Sequence, residues 1–176
     1  RQRLSAVLPF VRGDVLDLGC GWLRLPDHLG ENQRYVGVDS WSAAVEYGRQ
    51  LYPKHTFHQC DLDEEPLTLG DLRFDVVTMV ALLEHLRRPD SLLVQILPLL
   101  KPEGLVVITT PSPFGDLVHR LGGRLHLFYS EEHVQHVKIY SRRELEELAV
   151  GCGYQVQHIS TFLARMNQLL VCRPVG

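Results

Sequence analysis

Val15-Leu16-Asp17-Leu18-Gly19-Cys20-Gly21-Trp22 is the stretch on which the fold turns. Apolar, β-rich residues run straight into a Gly-x-Gly, as they do when a strand covered on both faces ends in a tight turn. Glycines flanking Cys20 let backbone N–H groups come close to a ligand. Such a pair alone is weak evidence. The dinucleotide fingerprint needs a third glycine three places on, where Arg24 stands, so a pyrophosphate seated on a helix N-terminus is not supported. Asp17 says more, because a carboxylate at the strand's end repels phosphate and attracts a cationic amine.

Outward from this strand, short β-rich runs alternate with helical ones. Strands are expected over residues 14–18, 34–39, 55–60, 74–81 and 105–110, and helices over 42–51, 90–100 and 141–150. The last helix opens on Ser141 and Glu144, a capping-box spacing, and Gly151 follows its apolar residues as a stop. Alternation of this kind predicts an α/β, doubly wound parallel sheet with helices on both faces. The chain's end breaks the rhythm: runs at 154–163 and 167–173 are joined by about three residues, too few for a parallel crossover, so they should pair antiparallel. Residues 112–140 fit neither period. An insertion of that length is expected to be a lid or substrate loop within a single domain spanning 1–176.

Ligands of doubly wound sheets bind beyond the carboxyl ends of the strands. The second expected strand ends Val38-Asp39-Ser40, where a carboxylate can accept from both hydroxyls of a ribose; the alternative for Asp39 is a helix N-cap. The third ends Cys60-Asp61-Leu62, where Asp61 can accept from an adenine amino group or simply serve a turn. Carboxylates at three consecutive strand ends describe a ligand with an amine, a ribose and an adenine but no phosphate.

In this combination and order the sequence resembles the class I S-adenosylmethionine-dependent methyltransferases, in the small-molecule branch of the ubiquinone-biosynthesis O-methyltransferases. The resemblance spans about 13–174 and is carried by Val-Leu-Asp-Leu-Gly-Cys-Gly at 15–21, Val-Gly-Val-Asp at 36–39, Cys-Asp-Leu at 60–62, Phe-Asp-Val-Val at 74–77 leading into Glu84-His85-Leu86, Leu-Lys-Pro-Glu-Gly at 100–104 and Gly153-Tyr154. It implies a Rossmann-like seven-stranded sheet of order 3-2-1-4-5-7-6 with the last strand antiparallel. It also implies S-adenosylmethionine as cofactor, S-adenosylhomocysteine as product, and methyl transfer to an O, N or C atom of a small molecule by direct displacement. Carried over by position, Asp17, Gly19, Cys20 and Gly21 border the methionine part, Asp39 and Ser40 the ribose, Asp61 and Leu62 the adenine, and Val80 and Ala81 the methyl donor.

Where an acceptor needs a base, Glu84, His85 and His136 are the candidates, each with a structural role as its alternative. No metal site is expected: His126, His133 and His136 lack a helical i, i+4 pair and an accompanying cysteine cluster. Trp22 and Trp41 flank the expected pocket, and Pro26 interrupts the helix that should follow Gly21. Competing readings are a non-catalytic methyltransferase-like subunit and a nicotinamide-dependent oxidoreductase, which leaves Asp17 unexplained.

Composition is that of an ordinary soluble globular domain. The chain has 176 residues, 45% apolar and 22% charged, enough to bury a core. Eighteen Lys plus Arg against 21 Asp plus Glu give −3, no footprint for a nucleic acid. Its longest apolar runs fall well short of the ~20 residues of a membrane span, and four scattered cysteines are read as free thiols. The expectation is a cytoplasmic monomer or homodimer. The chain starts at Arg1 rather than Met, so preceding residues are expected to have been trimmed, and the helices with which related enzymes cover the acceptor to be short.

Overall fold

A computed structural model describes residues 2–22, 24–124 and 137–176. Seven strands form on the apolar runs: β1 (Val15–Leu18), β2 (Tyr35–Asp39), β3 (Thr56–Gln59), β4 (Phe74–Val80), β5 (Leu100–Pro111), β6 (Tyr154–Phe162) and β7 (Asn167–Pro174). They make one sheet of order β3-β2-β1-β4-β5-β7-β6, the order that the resemblance implies. β1 to β5 are parallel, and β7 runs antiparallel to both β5 and β6. Asp17 lies in register with Gly37 of β2 and Thr78 of β4, so these three strands end at nearly one level.

Alternation along the strands divides the core in two. Leu16, Leu18, Val36, Val77 and Met79 face one way, under α3 (Pro89–Ile96) and α5 (Arg142–Gly151). Val15, Tyr35, Val76 and Val107 face the other, under α1 (Gln2–Val7) and α2 (Ser42–Leu51). α1 escaped the sequence reading because six residues are too few to show a helical period; it buries Leu4 and Val7 against this face.

Pro26 interrupts the first crossover as expected, and two other expectations need correction. Between β1 and β2 the described residues hold no α-helix, only a 3-10 turn at Leu25–His28: Pro26 sits in its first turn and Leu29 is already extended. The helix expected over 90–100 ends at Ile96, because Pro98 supports a 3-10 turn (Leu97–Leu99) and Leu100 already pairs with Phe74. Segment 112–140 does not begin as a loop but as α4 (Pro113–Arg124), whose first turn is capped by Ser112 Oγ accepting from the Gly115 N–H at 2.9 Å. Its histidines 126, 133 and 136 lie outside the described residues.

All four cysteines are free. Among the described residues no helix is long and apolar enough to cross a membrane, and no three His, Cys, Asp or Glu side chains are placed to hold a metal.

Candidate functional site

Beyond β1 the chain turns through two left-handed glycines, Gly19 at φ 68° and Gly21 at φ 45°, a conformation that a side chain would oppose. The Gly19 and Cys20 N–H groups both donate to Val38 O (2.8 and 3.1 Å), which bends the loop back over β2. Cys20 is buried beneath it, and burial pushes its thiol pKa up. Gly21 N–H donates to Asp39 Oδ2, and Trp41 N–H to Asp39 Oδ1, each at 2.8 Å. Asp39 thus clamps the glycine loop to the start of α2. It is not the helix cap: that position is Trp41, without a side-chain bond.

Asp61 and Asp63 shape the next strand end. Asp61 Oδ1 accepts from the Asp63 N–H (3.0 Å), the turn role weighed for it, while Asp63 Oδ1 accepts from the Arg87 N–H at 2.9 Å. Asp63 therefore ties the loop after β3 to the turn after β4.

A cleft of about 160 Å³ opens between these loops, lined by Gly19, Asp39, Ser40, Cys60, Asp61, Leu62, Asp63, Leu82, His85 and Leu86. It gathers five of the ten expected cofactor residues together with His85. Among the described residues its walls carry three carboxylates, of which Asp63 is paired with Arg87 at 3.7 Å, and no Lys or Arg, so it repels phosphate and favours a cationic ligand. Leu82, Leu86, Cys60 and Asp63 were missed as lining. Only the i, i+4 spacing of Leu82 and Leu86 around Glu84-His85 could have signalled the first two.

The other expected residues stand behind this surface. Asp17 is fully buried on the α2 side of the sheet, accepting from Tyr35 OH (2.8 Å) and Thr78 Oγ1 (2.6 Å). Burial is the largest influence on its carboxyl and raises it to about 6, against the two hydrogen bonds. Val80 ends β4 in the core, and Ala81 follows at φ 57°, with its N–H on Thr109 O at 2.9 Å. A left-handed alanine is a strained conformation, held here by the neighbouring strand.

Glu84 is 1% exposed, and among the described residues neither carboxylate oxygen meets a donor in full hydrogen-bond geometry, the Thr110 hydroxyl being a near neighbour. Burial raises its pKa. His85 Nε2 stands 4.0 Å from Glu84 Oε1, an ion-pair distance, while the ring also lines the cleft. The Glu84 carbonyl accepts from the Val137 (2.8 Å) and Lys138 (3.3 Å) N–H groups. Two of the three base candidates are thus neighbours, His85 on the cleft wall and Glu84 buried behind it.

Known proteins share this fold. A family model described as methyltransferase domain matches residues 1–159. A probable S-adenosylmethionine-dependent methyltransferase of Mycolicibacterium smegmatis is 31% identical over 150 residues, covering 82% of this chain and 52% of that one. A ubiquinone biosynthesis O-methyltransferase of Coxiella burnetii is 32% identical over 100 residues, 54% of this chain and 42% of the relative. The chain thus spans about half the length of the curated relatives that it matches. Among solved structures, a magnesium protoporphyrin IX methyltransferase from Synechocystis PCC 6803 with bound S-adenosylhomocysteine superposes with a TM-score of 0.73 at 16% identity, covering 99% of this chain and 83% of that one, a likeness of fold. With a family model matching nine-tenths of its length, this chain belongs to the methyltransferase domain family.

Proposed function

We propose that this chain, acting as one domain, binds S-adenosylmethionine in the cleft at the ends of β1, β2 and β3 and transfers its methyl group to an O, N or C atom of a small molecule. The observation that carries this reading is the cleft's charge: Asp39 and Asp61 line it together with Asp63, which Arg87 pairs from outside at 3.7 Å, and among the described lining residues there is no lysine or arginine, which suits a phosphate-free, cationic nucleoside and disfavours a dinucleotide. The loop fits the same ligand, since Gly19 and Gly21 put no side chain beside the carboxylate.

The sulfonium supplies a methyl group activated for direct displacement, so the protein's work is alignment and exclusion of water. Asp39 has one oxygen on each backbone N–H, and each oxygen keeps a lone pair for a ribose hydroxyl. Asp61 and Leu62 take the adenine. Asp17 supports the glycine loop from within and adds negative field near the methionine amine, with Val80 and Ala81 as the floor beside the donor. Leu82 lies over Gly19, its Cδ1 only 2.9 Å from where a Cβ would stand. At about 160 Å³ the cleft is below the ~300 Å³ of a typical ligand pocket, so holding the whole cofactor requires Leu82 to swing aside.

For an O–H or N–H acceptor, the proton passes to the Glu84–His85 pair: His85 faces the cleft, and Glu84 behind it balances the imidazolium. His136 remains the third candidate for the acceptor side. Segment 112–140, begun by α4, is the proposed lid.

Titration calorimetry with S-adenosylmethionine, S-adenosylhomocysteine and NADH tests the reading. Saturable one-to-one binding of the first two and none of NADH is expected. Tight NADH binding, or no binding of either sulfur ligand, would refute it.

A further inference from the structure

We propose that the space left where the described residues of the β1–β2 crossover form no α-helix is a second binding site, which takes the body of the methyl acceptor, a flat, uncharged, mainly apolar small molecule. The site stands on geometry; that its occupant is the acceptor rests on the methyltransferase reading above.

A doubly wound sheet ordinarily lays a helix on this face after its first strand. Here a four-residue 3-10 turn replaces it, and a cavity of about 460 Å³ remains between α1 and that turn. This is nearly three times the cofactor cleft and within the ~300–1,000 Å³ of small-molecule sites. The core beneath stays closed, because Val7, Leu25 and Tyr35 are buried.

The walls select the ligand. Leu4, Leu8 and Trp22 give apolar surface. The Trp22 ring packs edge-on against Trp41 (centroids 5.1 Å apart, 87°) and against Tyr47 (4.9 Å). It is braced on that side yet still 48% exposed, which makes it a platform for a flat ring. The charged lining groups are closed on each other: Arg24 Nε lies 2.7 Å from Asp27 Oδ2, and Tyr52 OH donates to Asp27 Oδ1 at 2.7 Å. A charged ligand therefore gains little here, and His28 is left to hydrogen-bond a neutral polar group.

The cavity also lies within reach of the cofactor. Gly19 lines the cleft and Trp22 lines the cavity. Three residues of chain separate them by at most about 11 Å. The Gly21 bond to Asp39 fixes that short wall. A molecule seated on Trp22 reaches the methyl donor only by extending its reacting atom past the rim of this loop, so the cavity takes the acceptor's body and not its reacting atom.

The test uses the whole chain and N-phenyl-1-naphthylamine, an uncharged, flat, apolar dye that fluoresces when shielded from water. Saturable one-to-one binding is expected, undisturbed by saturating S-adenosylhomocysteine. Ser5→Trp fills the cavity from α1, and His28→Trp fills it from the opposite wall, so that one poorly folded variant does not decide the matter. Each should weaken dye binding at least tenfold and leave S-adenosylhomocysteine affinity within twofold by calorimetry. The dye should also suppress label transfer from S-adenosylmethionine to a solvent-extractable fraction of a metabolite extract. Dye that S-adenosylhomocysteine displaces, or that folded variants bind unchanged, overturns the site. Dye binding as expected in a chain that binds no S-adenosylhomocysteine upholds the cavity and overturns both its acceptor and the methyltransferase reading.

Discussion

Two aspartates at neighbouring strand ends do opposite things, and burial decides which. Asp39 is half-buried, with lone pairs left over after its two backbone bonds, whereas Asp17 is sealed in the sheet with both oxygens engaged. Asp39→Ala removes a charge-assisted pair of bonds to the proposed ribose, each type contributing roughly 1.5–3 kcal/mol, so S-adenosylhomocysteine affinity should fall about tenfold to a hundredfold in calorimetry. Unchanged affinity in a folded variant would remove the ribose assignment. For Asp17, the carboxyl at about 6 is raised from its ordinary 3.8, so the fold favours the protonated form. That contribution is fully present below pH 3.8 and is lost as pH rises through about 6. Above this window the folded chain carries a buried charge costing about 3 kcal/mol relative to acid. Asp17→Asn keeps a polar partner for Tyr35 and Thr78, whose hydroxyls can reverse roles. Its stability advantage in urea melts should open between pH 4 and pH 6 and stay flat above pH 7, while S-adenosylmethionine binding weakens. An advantage that does not change with pH would show that the charge is not what strains the site.

Among the elements, those with a local signal were legible and those set by distant contacts were not. Ser-x-x-Glu at 141–144 announced a capping box, and α5 has both halves: Ser141 Oγ accepts from the Glu144 N–H (3.3 Å), and Glu144 Oε2 accepts from the Ser141 N–H (2.8 Å). The terminal hairpin was legible from its short connection, but not the conformation of its turn. Leu163, Ala164 and Arg165 are all left-handed without glycine, at roughly 1–2 kcal/mol each, and what holds them is α4. Ser112 N–H donates to Met166 O at 2.9 Å, and Ser112 Oγ donates to Arg165 O. Gly115 sits so close that a Cβ would stand 2.0 Å from Met166 O. Helix propensity alone predicts that Gly115→Ala stabilises α4 by about 1 kcal/mol. The backbone clash should win, lowering stability by about 1–3 kcal/mol and Tm by several degrees in calorimetric scans. A Tm that rises would mean that the hairpin does not fix α4.

For the molecule as a whole, the apolar runs were enough to count strands, because strands covered on both faces leave near-continuous hydrophobic sequence. What joins the site is not local. Asp39, Asp61 and His85 stand on three different connections, and only parallel register, with Asp17 level with Gly37 and Thr78, brings those connections to one end. The carboxylates were legible because each lies at or just beyond the end of a strand; Leu82 and Asp63 were not, since their importance comes from the loops that they meet. A site assembled from three loops binds only the folded chain, so its ligand must stabilise the whole domain by mass action. At a concentration 100 times its Kd, S-adenosylhomocysteine should contribute about 2.7 kcal/mol. For a domain of this size that raises Tm by roughly 5–10 °C. The same concentration should give Asp39→Ala a much smaller rise, because the ligand is then near its weakened Kd. Equal rises in the two proteins would place the ligand somewhere that Asp39 does not reach, and with it the assignment of the cleft would fall.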